Sequence, residues 1–283
     1  MKISLAKSAG FCFGVKRAID MALKTSLSHK NVYVLGDIVH NEDVVREIEK
    51  TGIKKAKRLS SGKNKVFLIR AHGTSRQVIE KAKGLGYDII DATCPMVKEI
   101  HRIVEEMDNR GRKIIVIGDK KHDEVRGIIG HAKQKAMVID DKKNIPLAAI
   151  KKFKKACVVV QSTQNTEKVQ EIVAILKKYI AELEFFNTIC NPTRQRQEEV
   201  KKMPGQNDVM IIIGSKNSAN TKRLYQISKS LNKKSHWVSQ KEDIKAVWFK
   251  NAHSIGVTAG ASTPESTTEK IISYIQALTS LTR

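Results

Sequence analysis

The feature that most constrains the fold is a short apolar run, rich in valine and isoleucine, that occurs six times and each time breaks into a polar tip. The six stretches span residues 32–41, 66–75, 114–124, 157–165, 209–220 and 255–265. Runs this short, and apolar on both faces, are typical of buried parallel strands. Amphipathic stretches between them, such as residues 167–183, predict helices. The pattern therefore predicts an α/β protein whose polar tips lie at the carboxyl ends of strands, where open α/β sheets bind ligands.

Grouped in pairs, the six strands predict three small α/β modules, each within normal domain size. The predicted modules are 13–95, 96–190, and 191–283 together with 1–12. DATCP and NTICNP place Cys94 and Cys190 after the second and fourth strands, each shortly before a proline and a new helix. Cys12, between Gly10 and Gly14, takes the corresponding place in the third module at a strand-to-helix turn. We therefore expect mainly parallel sheets in a pseudo-threefold arrangement, with three cysteines around one central site.

The spacing of the four cysteines disfavours two common kinds of site. No CxxC pair occurs, whereas zinc ribbons and thioredoxin-type sites keep two cysteines two residues apart. Cys157 lies inside the predicted strand CVVVQ, where we interpret it as a buried, small apolar residue. The remaining three cysteines are far apart in sequence, so they act together only if the fold brings them together.

Two kinds of polar side chain recur at the tips. Histidines lie a few residues past three of the predicted strands, at His40, His72 and His122. Hydroxyl and amide side chains follow the other strands, at Ser162, Thr163, Ser218, Asn220, Ser262 and Thr263. Serine and asparagine at such turns often serve only as helix N-caps. Hydroxyls next to the backbone N–H groups of a helix start also bind anions, and with the histidines they would suit a diphosphate.

Glu124 is the carboxylate that stands out, because it lies two residues after His122 at one of these tips. It is either an exposed glutamate at a helix start or a proton donor, and residue type alone does not choose between them. Neither GxxxxGK[ST] nor GxGxxG after the first strand occurs, which disfavours nucleoside triphosphate and dinucleotide sites.

The charge balance points to an acidic partner, since 52 basic residues stand against 29 acidic ones and leave a net charge of +23. The lysines form short, scattered runs, and aromatic residues make up only 5% of the chain, unlike a single-strand nucleic-acid groove. We interpret the charge as a solvated lysine surface suited to docking an acidic electron carrier. No stretch approaches the roughly 20 apolar residues of a membrane span, so we expect a soluble, cytoplasmic protein without a membrane partner.

Taken together, the motifs resemble the 4-hydroxy-3-methylbut-2-enyl diphosphate reductase family, also called LytB or IspH. The resemblance covers residues 3–265 and consists of AGFCFGVKRAI, GDIVHN, RAHGTS, DATCP, HDEVRG, TICNPTRQRQ, GSKNSAN and GASTP, in that order. It implies an iron-sulfur oxidoreductase that removes the C4 hydroxyl of an allylic diphosphate and gives isopentenyl and dimethylallyl diphosphate. That reaction is the last step of the non-mevalonate (MEP/DOXP) isoprenoid pathway.

The resemblance also implies roles for individual residues. Cys12, Cys94 and Cys190 would bind three irons of one [4Fe-4S] cluster and leave the fourth iron open to the substrate hydroxyl. Glu124 would be the catalytic proton donor. Two electrons would come from an acidic carrier such as flavodoxin or ferredoxin. The diphosphate and its surrounding pocket would be formed by His40, His72, His122, Ser162, Thr163, Ser218, Ala219, Asn220 and Ser262.

Three departures from the family pattern concern proton delivery and phosphate contacts. Asp123 stands where the family often has proline, Ser162 where it often has threonine, and Ala219 where it commonly has serine. Two other functions remain open from the residues alone. One is a basic nucleic-acid- or nucleotide-binding α/β protein, and the other is a colourless hydrolase with zinc held by the same three cysteines.

Overall fold

The computed structural model describes residues 1–280 and shows three four-stranded sheets with helices between the strands. The strands are β1 (Lys2–Leu5), β2 (Val32–Leu35), β3 (Lys54–Ala56), β4 (Val66–Ile69), β5 (Asp88–Asp91), β6 (Lys113–Ile117), β7 (Met137–Ile139), β8 (Lys155–Val160), β9 (Glu182–Phe185), β10 (Val209–Ile213), β11 (Ser235–Val238) and β12 (Ser254–Ala259). The helices are α1 (Phe13–Ser28), α2 (Glu42–Lys50), α3 (Arg76–Gly84), α4 (Pro95–Asn109), α5 (Asp123–Ile129), α6 (Leu147–Ile150), α7 (Thr166–Lys177), α8 (Asn191–Lys202), α9 (Ala219–Leu231) and α10 (Glu265–Ser280). Short 3-10 helices span Lys142–Asn144, Met203–Gly205, Lys241–Asp243 and Ala246–Phe249.

Each sheet is parallel and has the same plan. The strand orders are β3-β2-β4-β5, β7-β6-β8-β9 and β1-β12-β10-β11, and every neighbouring pair runs parallel. The predicted fold class of three small α/β modules with parallel sheets is therefore confirmed.

The six predicted strands are the two central strands of each sheet, namely β2 and β4, β6 and β8, and β10 and β12. The six strands that the apolar pattern missed are all edge strands. Central strands are covered on both faces and read as continuous apolar runs, whereas edge strands such as β3 and β5 are partly exposed and carry charged residues. The prediction of one helix over residues 167–183 was wrong in extent, because α7 ends at Lys177 and residues 182–185 form β9.

The burial of central strands on both faces is visible in the apolar clusters. Ile211 of β10 packs in one cluster, with β12 and α10, while Ile212 packs in another, with α8 and α9. Val158 and Val159 of β8 likewise face opposite clusters. Successive side chains of a strand point to opposite faces, so both residues of each pair must be apolar.

By internal contacts the described chain divides into two compact units. Unit 1 consists of Met1–Val15, His40–Val44 and Asn191 onwards, and it contains the sheet of β1, β10, β11 and β12. Unit 2 consists of Lys16–Val39 and Val45–Cys190, and it contains the other two sheets. The segment His40–Val44 thus belongs to unit 1, although the chain on either side of it belongs to unit 2. The three-module boundaries at residues 95 and 190 remain predictions.

Helices within residues 1–280 are all too short or too polar to cross a lipid bilayer.

The contrast between central and edge strands predicts unequal costs for the same substitution. Ile211→Ala, on fully buried β10, is expected to lower the free energy of unfolding by roughly 2–5 kcal/mol, because it leaves a cavity in the core. Ile3→Ala, on the partly exposed edge strand β1 of the same sheet, is expected to cost clearly less. Urea unfolding of both variants measures the difference, and equal costs would contradict this account of the sheet.

Candidate functional site

The three cysteines other than Cys157 occupy equivalent positions. Each is the last residue before an α-helix, since α1, α4 and α8 begin at Phe13, Pro95 and Asn191. Each also donates its backbone N–H to the carbonyl oxygen of the second residue after a neighbouring central strand. These bonds run from Cys12 to Ala261 (3.1 Å), from Cys94 to Ala71 (3.0 Å) and from Cys190 to Ser162 (3.0 Å). The predicted placement of the cysteines at comparable strand-to-helix turns is thus present as a repeated hydrogen bond.

The start of a helix suits a thiolate ligand. The N-terminal N–H groups and the helix dipole stabilise negative charge, and metal-bound cysteines are thiolates. All four cysteines in the described chain are thiols rather than disulfides. Cys157 differs from the other three because it is fully buried within β8, and burial raises the pKa of its thiol to about 12.

In unit 2, the tip after β4 is joined to the start of α5 by an ion pair. Arg70 Nη1 donates to Asp123 Oδ2 at 2.7 Å, and both side chains are partly buried. Gly36 leaves room for this guanidinium, since a Cβ there would lie 2.6 Å from Arg70 Nη1. The pair gives Asp123, a departure from the family pattern, a structural role. It fixes the segment before His72 relative to the segment that carries His122.

His122 is the N-cap of α5 and lies beside His72. Its Nδ1 accepts the backbone N–H of Glu124 at 3.1 Å, so the proton of the neutral ring is on Nε2. The two imidazole rings are 5.6 Å apart and nearly perpendicular. Unit 2 therefore brings together two of the three predicted histidines, with a defined N–H donor on one of them.

Glu124 is buried, which excludes the exposed helix-start interpretation. Its side chain is 2% exposed, and both carboxylate oxygens accept hydrogen bonds from Ser162, from the backbone N–H at 2.6 Å and from Oγ at 2.9 Å. Burial raises the pKa of the Glu124 carboxyl to about 6, although the two bonds from Ser162 act in the opposite direction. A carboxyl group with this pKa is able to hold and release a proton near neutral pH.

The predicted hydroxyl at Thr163 has a local role. Its Oγ1 accepts a hydrogen bond from Gln161 Nε2 at 3.1 Å, while Gln161 Oε1 accepts the backbone N–H of Asp119 at 2.8 Å. Gln161 thus connects the tip after β8 to the tip after β6, and the apolar pattern gave no signal for it.

In unit 1, the segment that carries His40 is tied to two tips. Ser262 Oγ donates to the His40 carbonyl oxygen at 2.9 Å. Glu42 Oε1 accepts hydrogen bonds from Ser215 Oγ at 2.8 Å and from Asn217 Nδ2 at 3.0 Å. Sequence reasoning missed Glu42, because an acidic residue in the first turn of a helix is an ordinary N-terminal preference.

Residues 218–220 form the N-cap and the first helical residues of α9, at the tip after β10. Ser218 is the N-cap, and its Oγ accepts the Thr221 N–H at 3.2 Å. Asn220 is 4% exposed, and neither its Oδ1 nor its Nδ2 has a hydrogen-bond partner among residues 1–280. A buried amide normally finds partners, so its orphaned atoms indicate a missing polar ligand.

Two glycines allow the tips of unit 1 to approach one another. Gly214 has φ +146°, and a Cβ on it would lie 2.7 Å from Thr221 Oγ1 and 2.8 Å from Thr263 Oγ1. A Cβ on Gly260 would lie 2.1 Å from Thr221 Oγ1. Larger residues at either position would push the start of α9 away from the tip after β12.

The predicted site residues thus fall into two groups by unit. Unit 2 contains His72, His122, Glu124, Ser162 and Thr163 at its strand tips, and Cys94 and Cys190 follow the edge strands β5 and β9 of its two sheets. Unit 1 contains Cys12, His40, Ser218, Ala219, Asn220 and Ser262.

Comparisons with known proteins give a consistent result. The family model described as LytB protein matches residues 3–276. The chain is 41% identical to the 4-hydroxy-3-methylbut-2-enyl diphosphate reductase of Campylobacter fetus and 38% identical to that of Geobacter metallireducens, covering 99% of both chains in each case.

Comparison with solved structures finds reductases of the same kind. The chain is similar to a structure of (E)-4-hydroxy-3-methyl-but-2-enyl diphosphate reductase, described as the terminal enzyme of the non-mevalonate pathway, with 38% identity, a TM-score of 0.71, and coverage of 98% of this chain and 100% of the other. It is also similar to the corresponding reductase from Plasmodium falciparum, with 32% identity, a TM-score of 0.88, and coverage of 96% and 87%.

The raised pKa of Glu124 makes the stability of the protein depend on pH. Below about pH 4.5 the carboxyl is protonated in both the folded and unfolded states, and its burial costs no charge. As the pH rises through about 6, the folded protein must bury a carboxylate, and the free energy of unfolding falls by roughly 2 kcal/mol. Glu124→Gln is therefore expected to match the wild type near pH 4 and to be more stable at pH 7.5. Urea unfolding at the two pH values tests this, with exposed Glu49→Gln as the control, and a pH-independent difference would contradict it.

Proposed function

The chain belongs to the LytB protein family, and we infer from this that it reductively dehydroxylates 4-hydroxy-3-methylbut-2-enyl diphosphate in the last step of the non-mevalonate isoprenoid pathway. Sequence identity of 38–41% over 99% of both chains confirms the family that the motifs resemble. It also favours an oxidoreductase over the alternative of a basic nucleic-acid-binding protein.

The observation that carries the proposal is the repeated placement of three cysteines at helix starts, each bonded through its amide to a neighbouring tip. Iron-sulfur chemistry comes with this family, and we propose one [4Fe-4S] cluster with Cys12, Cys94 and Cys190 as ligands. The donor set fits the group, since three thiols at helix starts suit an anionic cluster and the fourth cysteine, Cys157, is sealed in β8. When bound, such a cluster supplies electrons and one open iron for the substrate hydroxyl.

Glu124 is the proposed proton donor of the reaction. Replacing the hydroxyl by hydrogen consumes two electrons and two protons and releases one water. A carboxyl group with a pKa of about 6 is protonated often enough near neutral pH to donate to a departing hydroxyl. Ser162 holds both of its oxygens, so the orientation of the acid is set before the substrate arrives.

The residues proposed to bind the diphosphate lie at strand tips, some in unit 1 and some in unit 2. The start of α9 offers backbone N–H groups at Ala219 and Asn220, and Ala219 contributes only its backbone because it has no hydroxyl. The unpartnered amide of Asn220 and the Nε2–H of His122 supply further hydrogen-bonding groups. His40, His72, Thr163, Ser218 and Ser262 complete the proposed set.

The net charge of +23 supports an acidic electron donor such as flavodoxin or ferredoxin. A cytoplasmic location remains a prediction from the sequence.

Glu124→Gln is expected to lower turnover by at least about 10²-fold, because the amide cannot supply the proton. The visible absorption spectrum of the anaerobically purified protein should stay unchanged, since Glu124 is not a proposed ligand. Retained activity would remove Glu124 as the proton source.

Cys94→Ala and Cys157→Ala form a matched pair. Cys94→Ala is expected to lose most of its iron and acid-labile sulfide, whereas Cys157→Ala should keep both at wild-type levels. Metal and sulfide analysis of anaerobically purified protein measures the two outcomes. Zinc without sulfide in the wild type would instead support the hydrolase alternative.

A further inference from the structure

The chain around Cys12 combines exposed apolar and basic side chains in a way that the catalytic site does not require. Phe13 is 72% exposed, Leu5 is 50% exposed and Phe11 is 37% exposed, and Lys7 between them is also exposed. We name Leu5, Lys7, Phe11 and Phe13 the Cys12 patch. Exposed aromatic side chains grouped in one segment are a feature of surfaces that a partner covers.

The backbone under the patch is held firmly within unit 1, so this exposure does not come from a loose terminus. The Ala6 N–H donates to Val257 O at 2.8 Å, and the Lys7 N–H donates to Glu199 Oε1 at 2.6 Å. Arg196 Nη2 donates to the Gly10 carbonyl at 2.6 Å. Gly10 itself has φ +93°, which favours glycine at this turn.

The neighbouring N–H groups are fixed in the same way. The Ser8 N–H donates to Glu199 Oε2 at 3.0 Å, and the Cys12 N–H donates to Ala261 O at 3.1 Å. Phe11 and Phe13 therefore project from a pinned segment, on either side of a proposed cluster ligand. A preorganised surface loses little conformational entropy when a partner binds to it.

The segment that carries the patch is basic in sequence, and the carboxylate that contacts it, that of Glu199, accepts the N–H groups of Lys7 and Ser8. Residues 1–19 contain Lys2, Lys7, Lys16 and Arg17 and no acidic residue, and the first acidic side chain is Asp20. Within seven residues on either side, Cys12 has no acidic neighbour, whereas Cys94 has Asp91 and Glu99 among its neighbours and Cys190 has Glu184. The basic segment therefore favours an acidic partner.

We propose that the Cys12 patch is the docking surface for the acidic electron-carrier protein, flavodoxin-like or ferredoxin-like in charge. This deepens the proposed function and rests on it. The carrier binds through apolar contacts to Phe11 and Phe13 and through charge complementarity to the basic segment. Each docking oxidises one carrier by one electron and reduces the enzyme by one, so two successive dockings supply the two electrons of a turnover.

The test compares a protein donor with a small one, using the full-length holoenzyme. With reduced flavodoxin as donor, Phe13→Ser is expected to raise the KM for flavodoxin roughly tenfold. With reduced methyl viologen, which needs no docking surface, turnover should equal that of the wild type. Leu27→Ser, at an 89% exposed position on α1, is the matched control and should behave as the wild type with both donors.

Charge is tested separately. Lys7→Glu is expected to raise the KM for flavodoxin and to weaken its dependence on ionic strength, while turnover with viologen stays unchanged. Lys177→Glu makes the same change in net charge at an exposed position on α7 and should have a much smaller effect.

The outcomes separate the two hypotheses. A wild-type protein that fails to turn over the hydroxylated diphosphate with viologen would contradict the proposed function itself. Normal flavodoxin kinetics in Phe13→Ser, or an equal loss with both donors, would overturn the docking surface alone. A wild-type dimer that Phe13→Ser converts to a monomer would assign the patch to self-association and would also overturn it.

Discussion

The arrangement of the candidate site depends on one repeated hydrogen bond. In every sheet, the amide of a cysteine at a helix start donates to the carbonyl of the second residue beyond a central strand. The residues that follow those carbonyls are His72, Thr163 and Ser262, all predicted to bind substrate. The same hydrogen bond therefore ties the backbone of a proposed cluster ligand to the tip that carries a proposed substrate contact.

The electrostatics of the tips show how position changes the role of an ordinary residue. Glu124 carries two hydrogen bonds that favour its charged form, yet burial outweighs them and raises its pKa to about 6. Asp123 precedes Glu124 in the chain, and its charge is compensated by the ion pair with Arg70. Glu42, which is exposed, acts through geometry instead and joins the His40 segment to the tip after β10. Glu42, Asp123 and Glu124 thus have different roles because their surroundings differ.

Much of the fold could be predicted because parallel sheets buried on both faces leave a strong local pattern. The central strands β10 and β12 read as nearly continuous apolar runs, and the cysteine turns followed from them. The edge strands could not be predicted in this way, since β3 consists of Lys54, Lys55 and Ala56 and is assigned only by its bonds to β2. Thr163, predicted from its position at a tip, is seen to pair with Gln161, and nothing in the local sequence indicates that partner.

The sequence by itself determined the three parallel-sheet modules, the tips at strand ends and the family, because these depend on local periodicity and on residue order. Only the tertiary structure decided that β1, β5 and β9 form sheet edges and that residues 40–44 belong to unit 1. It also decided that Glu124 is buried with a raised carboxyl pKa, that Asn220 is left without a partner in the described chain, and that Phe13 is exposed on a hydrogen-bonded backbone. The physical reason is that burial, pKa and hydrogen-bond partnership are set by residues distant in the chain, and a sequence pattern carries only what near neighbours impose.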